Sequence, residues 1–363
     1  MLTRLYIDNF RCFEKFEWKP GRKQLIIGRN GTGKTSLMDA IRVPRQLAAR
    51  GGRAGTWFKA EDGTLWRQRT DGTFELEARI GADCFCYRLV IGPWGDPPGM
   101  GVQVETLDLN GTRILTFEDG ELNAEGQPAG YRLDRRRSAL STIAADSGLT
   151  DVIRFTSWLN RVTLWHLNPF EMASRAEKES TNAGRTMVNF ASWYRHLVQA
   201  RPRENTALLK DLRRAIEGFD QLQLEHVGEN VRILHAEFLR NGAPIRVPFA
   251  SLSDGQRCLI CLYAITHFVV AKGGTVIIDE PDNFISLAEI QPWLNRIEEM
   301  ADEHKGQVIL ISHRPEILNQ WAPSYGVQFI RDGAGPVRVE RFKGDPESPL
   351  SAAELVARGW DLD

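Results

Sequence analysis

Gly28-Arg29-Asn30-Gly31-Thr32-Gly33-Lys34-Thr35 is the stretch that most restricts what this chain can fold into. It spells G-x-x-x-x-G-K-[ST] without a mismatch, and such a loop needs a strand before it and a helix after it. Leu25-Ile26-Ile27 is a short apolar run of buried-strand type. The spacing of Leu37, Met38 and Ile41 predicts a helix from Thr35 to about Val43. Pro44 is expected to end or kink it, since proline lacks the N–H and its ring crowds the turn before it. Glycines let backbone N–H groups curl around an anion, and the helix N-terminus adds its positive end. The loop through Ser36 is therefore a phosphate-site candidate in an α/β fold. Lys34 is expected to reach the terminal phosphates of a nucleotide, and the Thr35 hydroxyl to ligate Mg²⁺.

Thr275-Val276-Ile277-Ile278-Asp279-Glu280-Pro281 is an apolar strand ending in two carboxylates. Charge at the end of a buried strand is costly unless it is paired or holds a metal. Asp279 suits the magnesium site and Glu280 suits the group that orients an attacking water; the alternative is a strand ending in solvated acids. Gln307-Val308-Ile309-Leu310-Ile311 runs into Ser312-His313. Alone, a histidine there is structural or at the surface. Ser251-Leu252-Ser253-Asp254-Gly255-Gln256 stands directly before a long apolar helix.

With these motifs in this order the chain resembles the SMC/RecF/OLD branch of ABC-type ATPases. Leu5-Tyr6-Ile7-Asp8-Asn9-Phe10-Arg11-Cys12-Phe13 looks like the I-x-N-F-[RK]-x-F opening of that branch, whose arginine sits near the nucleotide. Val247-Pro248-Phe249-Ala250, Asp279-Glu280-Pro281 and Ile311-Ser312-His313-Arg314-Pro315-Glu316 look like the stand-alone AAA_21-type ATPases. Many of those occur in bacterial anti-phage systems beside a nuclease or another effector. The resemblance implies that Lys34, Thr35, Asp279, Glu280 and His313 act on one ATP, with Asn30 and Arg11 nearby. It implies that Ser253, Gly255 and Gln256 act in trans on the ATP of a second subunit. Asp254 replaces the commoner glycine, and Asp282-Asn283-Phe284-Ile285-Ser286 departs from the Leu-His pair of many relatives. Gln68 and Gln103 are the candidates for the Q-loop glutamine.

At 363 residues the chain accommodates one ATPase body with a substantial insertion, since single domains run to about 100–200 residues. A hydrophobic content of 42% supports a real core, and a net charge of −1 gives no global pull toward nucleic acid or membrane. Arginine outnumbers lysine by 36 to 10, which suits phosphate recognition but follows equally from a GC-rich genome. No apolar run approaches the roughly 20 residues of a membrane span. Asp8, Arg11 and Glu14 interrupt any signal peptide, so the expected location is the cytoplasm. Of the five cysteines (Cys12, Cys84, Cys86, Cys258, Cys261), the Cys258-x-x-Cys261 pair could be a redox or zinc half-site. No second ligand pair accompanies it, so buried free thiols are the better reading.

The expected layout is an ATPase core over 1–50 and 245–345, a β-rich lobe over 51–130, a helical insertion or lid over 131–244, and a tail over 346–363. Phe74–Ile80, Cys84–Ile91 and Val102–Leu109 read as an antiparallel meander, and Gly120–Gly130 as a loop. Ser138–Leu159 reads as one helix, Arg161–Trp165 as a strand, and Ala191–Ala200 and Leu208–Glu217 as helices broken near Arg201-Pro202-Arg203. No heptad pattern persists, which excludes a long coiled-coil arm. Arg132, Arg135, Arg136 and Arg137 could meet DNA, RNA or an acidic partner; a solvated helix start is the favoured alternative. Most of the ten tryptophans, including Trp57, Trp66, Trp94, Trp158 and Trp193, are expected in the core or at interfaces.

The expected activity is Mg²⁺-dependent ATP hydrolysis by a homodimer or higher homo-oligomer that closes head-to-tail on two ATP molecules. Its output would pass to a separate nuclease or toxin, because the tail after His313 is too short for a Toprim nuclease domain. Nucleic acid stays open as a partner. A RecF-like repair ATPase and an ATP-bound scaffold with little turnover are the rival readings.

Overall fold

The computed structural model describes residues 1–124, 131–144, 147–344 and 350–359. In chain order, β1 (Leu2–Asp8), β2 (Phe16–Trp18) and β3 (Lys23–Ile27) precede α1 (Lys34–Pro44). Pro44 does not stop the helix. The chain continues as a π-type turn over Arg45–Ala49 that buries Leu47 and Ala48. A wider turn accommodates the ring and its missing donor without ending the run.

After α2 (Ala54–Trp57) come β4 (Gly72–Ile80), β5 (Asp83–Trp94), β6 (Gly99–Leu109), β7 (Thr112–Glu118), β8 (Glu121–Ala124) and β9 (Tyr131–Arg132). The meander is therefore as expected, but part of the expected 120–130 loop is strand; its remainder, 125–130, lies outside the described residues. Asn110-Gly111 and Asp119-Gly120 turn two of the hairpins, with φ of 51° and 84°, and 49° and 87°. These left-handed pairs match the twist of the strands they join.

The stretch 138–159 is not one helix. Leu140–Thr142 is a single 3₁₀ turn, Gly148 has φ 80°, and α3 begins only at Thr150 and runs to Arg161. Nor does a helix start at the arginine cluster. Glu105, fully buried on β6, takes hydrogen bonds from the Tyr87 hydroxyl (2.6 Å), the Ser138 hydroxyl (2.5 Å) and the Ala139 N–H (2.6 Å). That fixes residues 138–139 against the sheet. Arg132 pairs with Glu121, Arg135 with Asp119, and Arg136 stacks on Trp94.

β10 (Val162–His166), β11 (Arg175–Ala176), α4 (Phe190–Ala200) and α5 (Pro202–Ala215) follow. The break between the last two is Arg201 alone, because Pro202 is tolerated in a first helical turn. Then come β12 (Phe219–His226), β13 (Arg232–Arg240) and β14 (Ala243–Pro248), paired antiparallel. The expected helical insertion is thus part sheet. Its Asn241-Gly242 turn, φ 51° and 79°, is the same hairpin signal as the others. The rest is α6 (Asp254–Phe268), β15 (Thr275–Asp279), α7 (Leu287–Glu303), β16 (Gln307–Ile311), α8 (Pro315–Tyr325), β17 (Gly326–Arg331), β18 (Val337–Arg341) and α9 (Ala352–Arg358).

The chain forms two compact units. The first holds residues 1–21, 26–163 and 326–342. Its eight-stranded sheet runs β2-β1-β4-β5-β6-β7-β8-β9. Its core includes Phe10, Phe13, Phe58, Phe74, Phe85 and Phe155, all at most 1% exposed. The second holds residues 22–25, 164–325 and 343–363. There β15 and β16 pair in parallel, in register from Thr275↔Gln307 to Asp279↔Ile311. Both are buried throughout, as parallel strands covered by helices must be. Beside them α6 is buried from Arg257 to Phe268 on every side, which makes it a core helix rather than a surface one. Cys258 and Cys261 are free thiols in that helix, and burial pushes the Cys258 thiol up to about 12. Trp293 on α7 is fully buried and donates to the Thr266 hydroxyl at 3.1 Å.

Glu105 gives a stability prediction. Glu105→Ala strands three buried donors, so it is expected to destabilise the first unit by about 3 kcal/mol, measured by urea unfolding. A change under about 0.5 kcal/mol, the usual range of surface substitutions, would show that the latch is dispensable.

Candidate functional site

The phosphate loop lies in the first unit. Gly31 and Gly33 have φ of 81° and 92°, which turn the backbone between β3 and α1. Gly31 has open space around it, so only its conformation calls for glycine. Gly33 is confined as well: a Cβ there would stand 2.7 Å from Cys12 Sγ. A Cβ on Gly28 would meet the Phe329 carbonyl and Thr32 Oγ1, both at 2.7 Å. The Thr32 hydroxyl donates to the Arg29 carbonyl at 2.8 Å, and Leu37 N–H to the Gly33 carbonyl at 2.9 Å. Lys34 folds over the loop and donates to the carbonyls of Gly28 (2.5 Å) and Arg29 (2.9 Å). Arg29, Asn30 and Thr35 are exposed, and Ser36 is half-buried.

The N-terminal motif supports this loop. Asn9 is fully buried, with φ 58°. It donates to the carbonyls of Arg69 (3.0 Å) and Asp71 (2.6 Å) and accepts from Thr64 N–H (3.1 Å). Phe10 packs on Phe58 and Phe74. Arg11 is tied to Asp39 of α1 at 2.7 Å and to Asp62 at 3.4 Å. To meet a nucleotide it has to exchange those carboxylates.

The acid pair, the histidine and the Ser251–Gln256 run lie in the second unit. Asp279 is 6% exposed at the end of β15. Glu280 follows with φ 50°, a left-handed backbone that is rare outside glycine and asparagine and gathers at functional sites. Its N–H still bonds the Ile311 carbonyl at 2.8 Å. Asn283 donates to Glu280 Oε2 at 2.6 Å, and His313 Nδ1 stands 3.6 Å from Glu280 Oε1. Ser312 reaches both oxygens of buried Asp282 at 3.1 Å, and burial raises the pKa of that acid. Asp282 and Ser312 therefore clamp the loop after Glu280 to the loop that carries His313.

Ser253 is the exposed N-cap of α6. Its Oγ accepts from Gln256 N–H, and Ser253 N–H donates to Gln256 Oε1, each at 3.2 Å, a capping box. A Cβ on Gly255 would lie 2.6 Å from the Phe284 carbonyl, so this turn packs directly on the loop that follows Glu280. Asp254, the departure from glycine, pairs with Arg257, which also donates to the Pro169 carbonyl at 2.6 Å.

One residue escaped the sequence reading. His166 ends β10, and its Nδ1 lies 3.4 Å from Asp279 Oδ2. Contact with that carboxylate raises the pKa of His166, against burial and Arg185. The only signal was the position at the end of a strand, and the expected strand stopped one residue short of it. Gln68 and Gln103 both belong to the first unit; Gln103 Nε2 reaches the Pro93 carbonyl at 3.5 Å.

Among the described residues, no group of three or more His, Cys, Asp or Glu is placed to hold a metal ion. Thr35 and Asp279 are oxygen donors of the kind Mg²⁺ accepts when nucleotide phosphates and water supply the rest. No helix among the described residues is long and apolar enough to cross a membrane.

Residues 166–319 match the family model described as "AAA domain, putative AbiEii toxin, Type IV TA system", and residues 1–46 match the model described as "AAA ATPase domain". No curated protein matches the chain. Among solved structures, an SMC head bound to the C-terminal winged-helix domain of ScpA is 14% identical with a TM-score of 0.56, over 94% of this chain and 98% of that one. The SMC head domain from Thermotoga maritima is 13% identical with a TM-score of 0.50, over 94% and 99%. An SMC head with an extended coiled coil, bound to the C-terminal domain of ScpA from Pyrococcus furiosus, is 12% identical with a TM-score of 0.51, over 99% of each chain.

The two loop glycines separate strain from clash. Gly31→Ala is expected to cost about 1 kcal/mol, the left-handed penalty alone. Gly33→Ala adds the Cys12 contact and should cost at least twice that in chemical unfolding. Equal losses would contradict the packing described around Gly33.

Proposed function

From the SMC-head fold and the two AAA family matches, which support an SMC/RecF-like ABC-type ATPase, we propose that the chain is an ATP-driven dimerisation switch controlling a separate effector. In this reading Lys34 and the backbone N–H groups of 31–35 bind the β- and γ-phosphates. Thr35 and Asp279 would hold Mg²⁺, which when bound neutralises charge on the phosphate oxygens. Glu280 orients water for in-line attack, and His313 donates to a γ-phosphate oxygen. Arg11 and Asn30 complete the nucleotide surroundings.

The signature residues act on the ATP of a second copy. Ser253 Oγ already accepts the cap bond, so its proton is free to donate to an anion, and the Gly255 N–H adds the positive helix end. The contact of Gly255 with the Phe284 carbonyl carries the proposal. A γ-phosphate held by one chain's signature turn presses on the same loop that places that chain's Glu280. Hydrolysis removes the group that both chains hold, so the closed state is transient.

The effector is a nuclease or toxin in bacterial anti-phage defence, working in the cytoplasm. The family description naming a type IV toxin–antitoxin system supports this part.

Two measurements test the switch. Glu280→Gln should accumulate dimers or larger assemblies when ATP is added, read by light scattering; a variant that stays monomeric contradicts the switch. Lys34→Ala and Ser253→Arg should each be inactive alone. Mixed in equal amounts, they should recover about a quarter of wild-type hydrolysis, because half of the dimers then hold one intact composite site. No recovery under conditions that form mixed dimers counts against sharing in trans.

A further inference from the structure

Asp279 is a buried carboxylate whose ion-pair partner, among the described residues, is a single histidine. The backbone of His166 is held at the strand end beside that acid. Its N–H donates to the Arg185 carbonyl at 3.0 Å, and two residues on, Asn168 N–H donates to the Thr186 carbonyl at 3.2 Å. These bonds fix the backbone at the strand end, while the imidazole, 44% exposed, stands 3.4 Å from Asp279 Oδ2 without an aligned hydrogen bond. We infer that His166 is a positioning residue. On binding of the metal–nucleotide complex its Nδ1–H, 3.4 Å from Asp279 Oδ2 in this structure, closes on that oxygen, so that the other oxygen is presented to the metal. This rests on the magnesium role proposed for Asp279.

The physical case is that of a hydrogen-bonded carboxylate ligand. A carboxylate bound at one oxygen loses its freedom to rotate, and a donor behind a metal-facing group typically changes metal affinity by about 10–100-fold. The donor atom also has a defined place. An asparagine amide can occupy the position of Nδ1, whereas a glutamine amide reaches the position of Nε2. Hydrogen-bond geometry therefore separates these two substitutions.

The test uses full-length His166→Ala, His166→Asn and His166→Gln, with a fluorescent ATP analogue titrated at fixed Mg²⁺ levels and in EDTA. Binding of Mn²⁺ to the nucleotide-loaded protein is followed by electron paramagnetic resonance. His166→Ala is expected to raise the metal concentration for half-saturation about 10-fold while binding in EDTA stays unchanged. His166→Asn should restore most of the loss and His166→Gln should not. Unaltered metal dependence in His166→Ala overturns the inference, as does an asparagine variant no better than glutamine. If His166→Ala does not fold, the comparison of asparagine with glutamine decides alone. Absence of metal-dependent nucleotide binding in the wild type would instead remove the ATPase reading on which the inference stands.

Discussion

A backbone that turns as tightly as the loop between β3 and α1 cannot fill its inner turns with side chains. That constraint organises the first unit. Gly33 lies against Cys12 Sγ and Gly28 against the Phe329 carbonyl, in spaces that admit no Cβ. The neighbours must in turn be held still. Phe10 packs on Phe58 and Phe74, and Asn9 collects the backbone of residues 64–71. The N-terminal motif is thus first a scaffold for the loop. Its arginine is engaged by Asp39 and Asp62.

The second unit answers a different constraint, charge at the ends of buried strands. Asp279, Glu280 and Asp282 fall within four positions, and each carboxylate has a named partner: His166, Asn283 with His313, and Ser312. Glu280 adopts a left-handed backbone there, as does Phe284 at φ 70°. Phe284 itself bears the contact with Gly255. Acid pair, histidine loop and signature turn are therefore one mechanical piece, as coupling between hydrolysis and assembly would need. The unusual Asp254 has a local explanation in Arg257, an ion pair within the first helical turn.

Much of this was legible in the sequence where a residue type has a steric or chemical monopoly. The phosphate loop needs glycines, buried parallel strands read as unbroken apolar runs, and the meander alternates between glycine turns. Misreadings came where tertiary bonds overrode local preference. Residues 138–139 bond to Glu105 rather than start a helix, and a π-type turn absorbs Pro44. The Asn241-Gly242 hairpin was readable and was missed in a segment expected to be helical. His166 was invisible for a plainer reason: nothing in one sequence says which strand end will lie beside Asp279.

In the proposed switch, one chain's Ser253–Gln256 turn meets ATP held by another chain. The most direct measurement is transfer of a label from an ATP analogue carrying a photoreactive group on its γ-phosphate. Wild-type chains would be mixed with a Lys34→Ala chain of distinguishable mass, which cannot hold the analogue itself. The account predicts label on the peptide containing Ser253 of the Lys34→Ala chain, and only when both chains are present. Label confined to the chain whose own loop holds the analogue would contradict it.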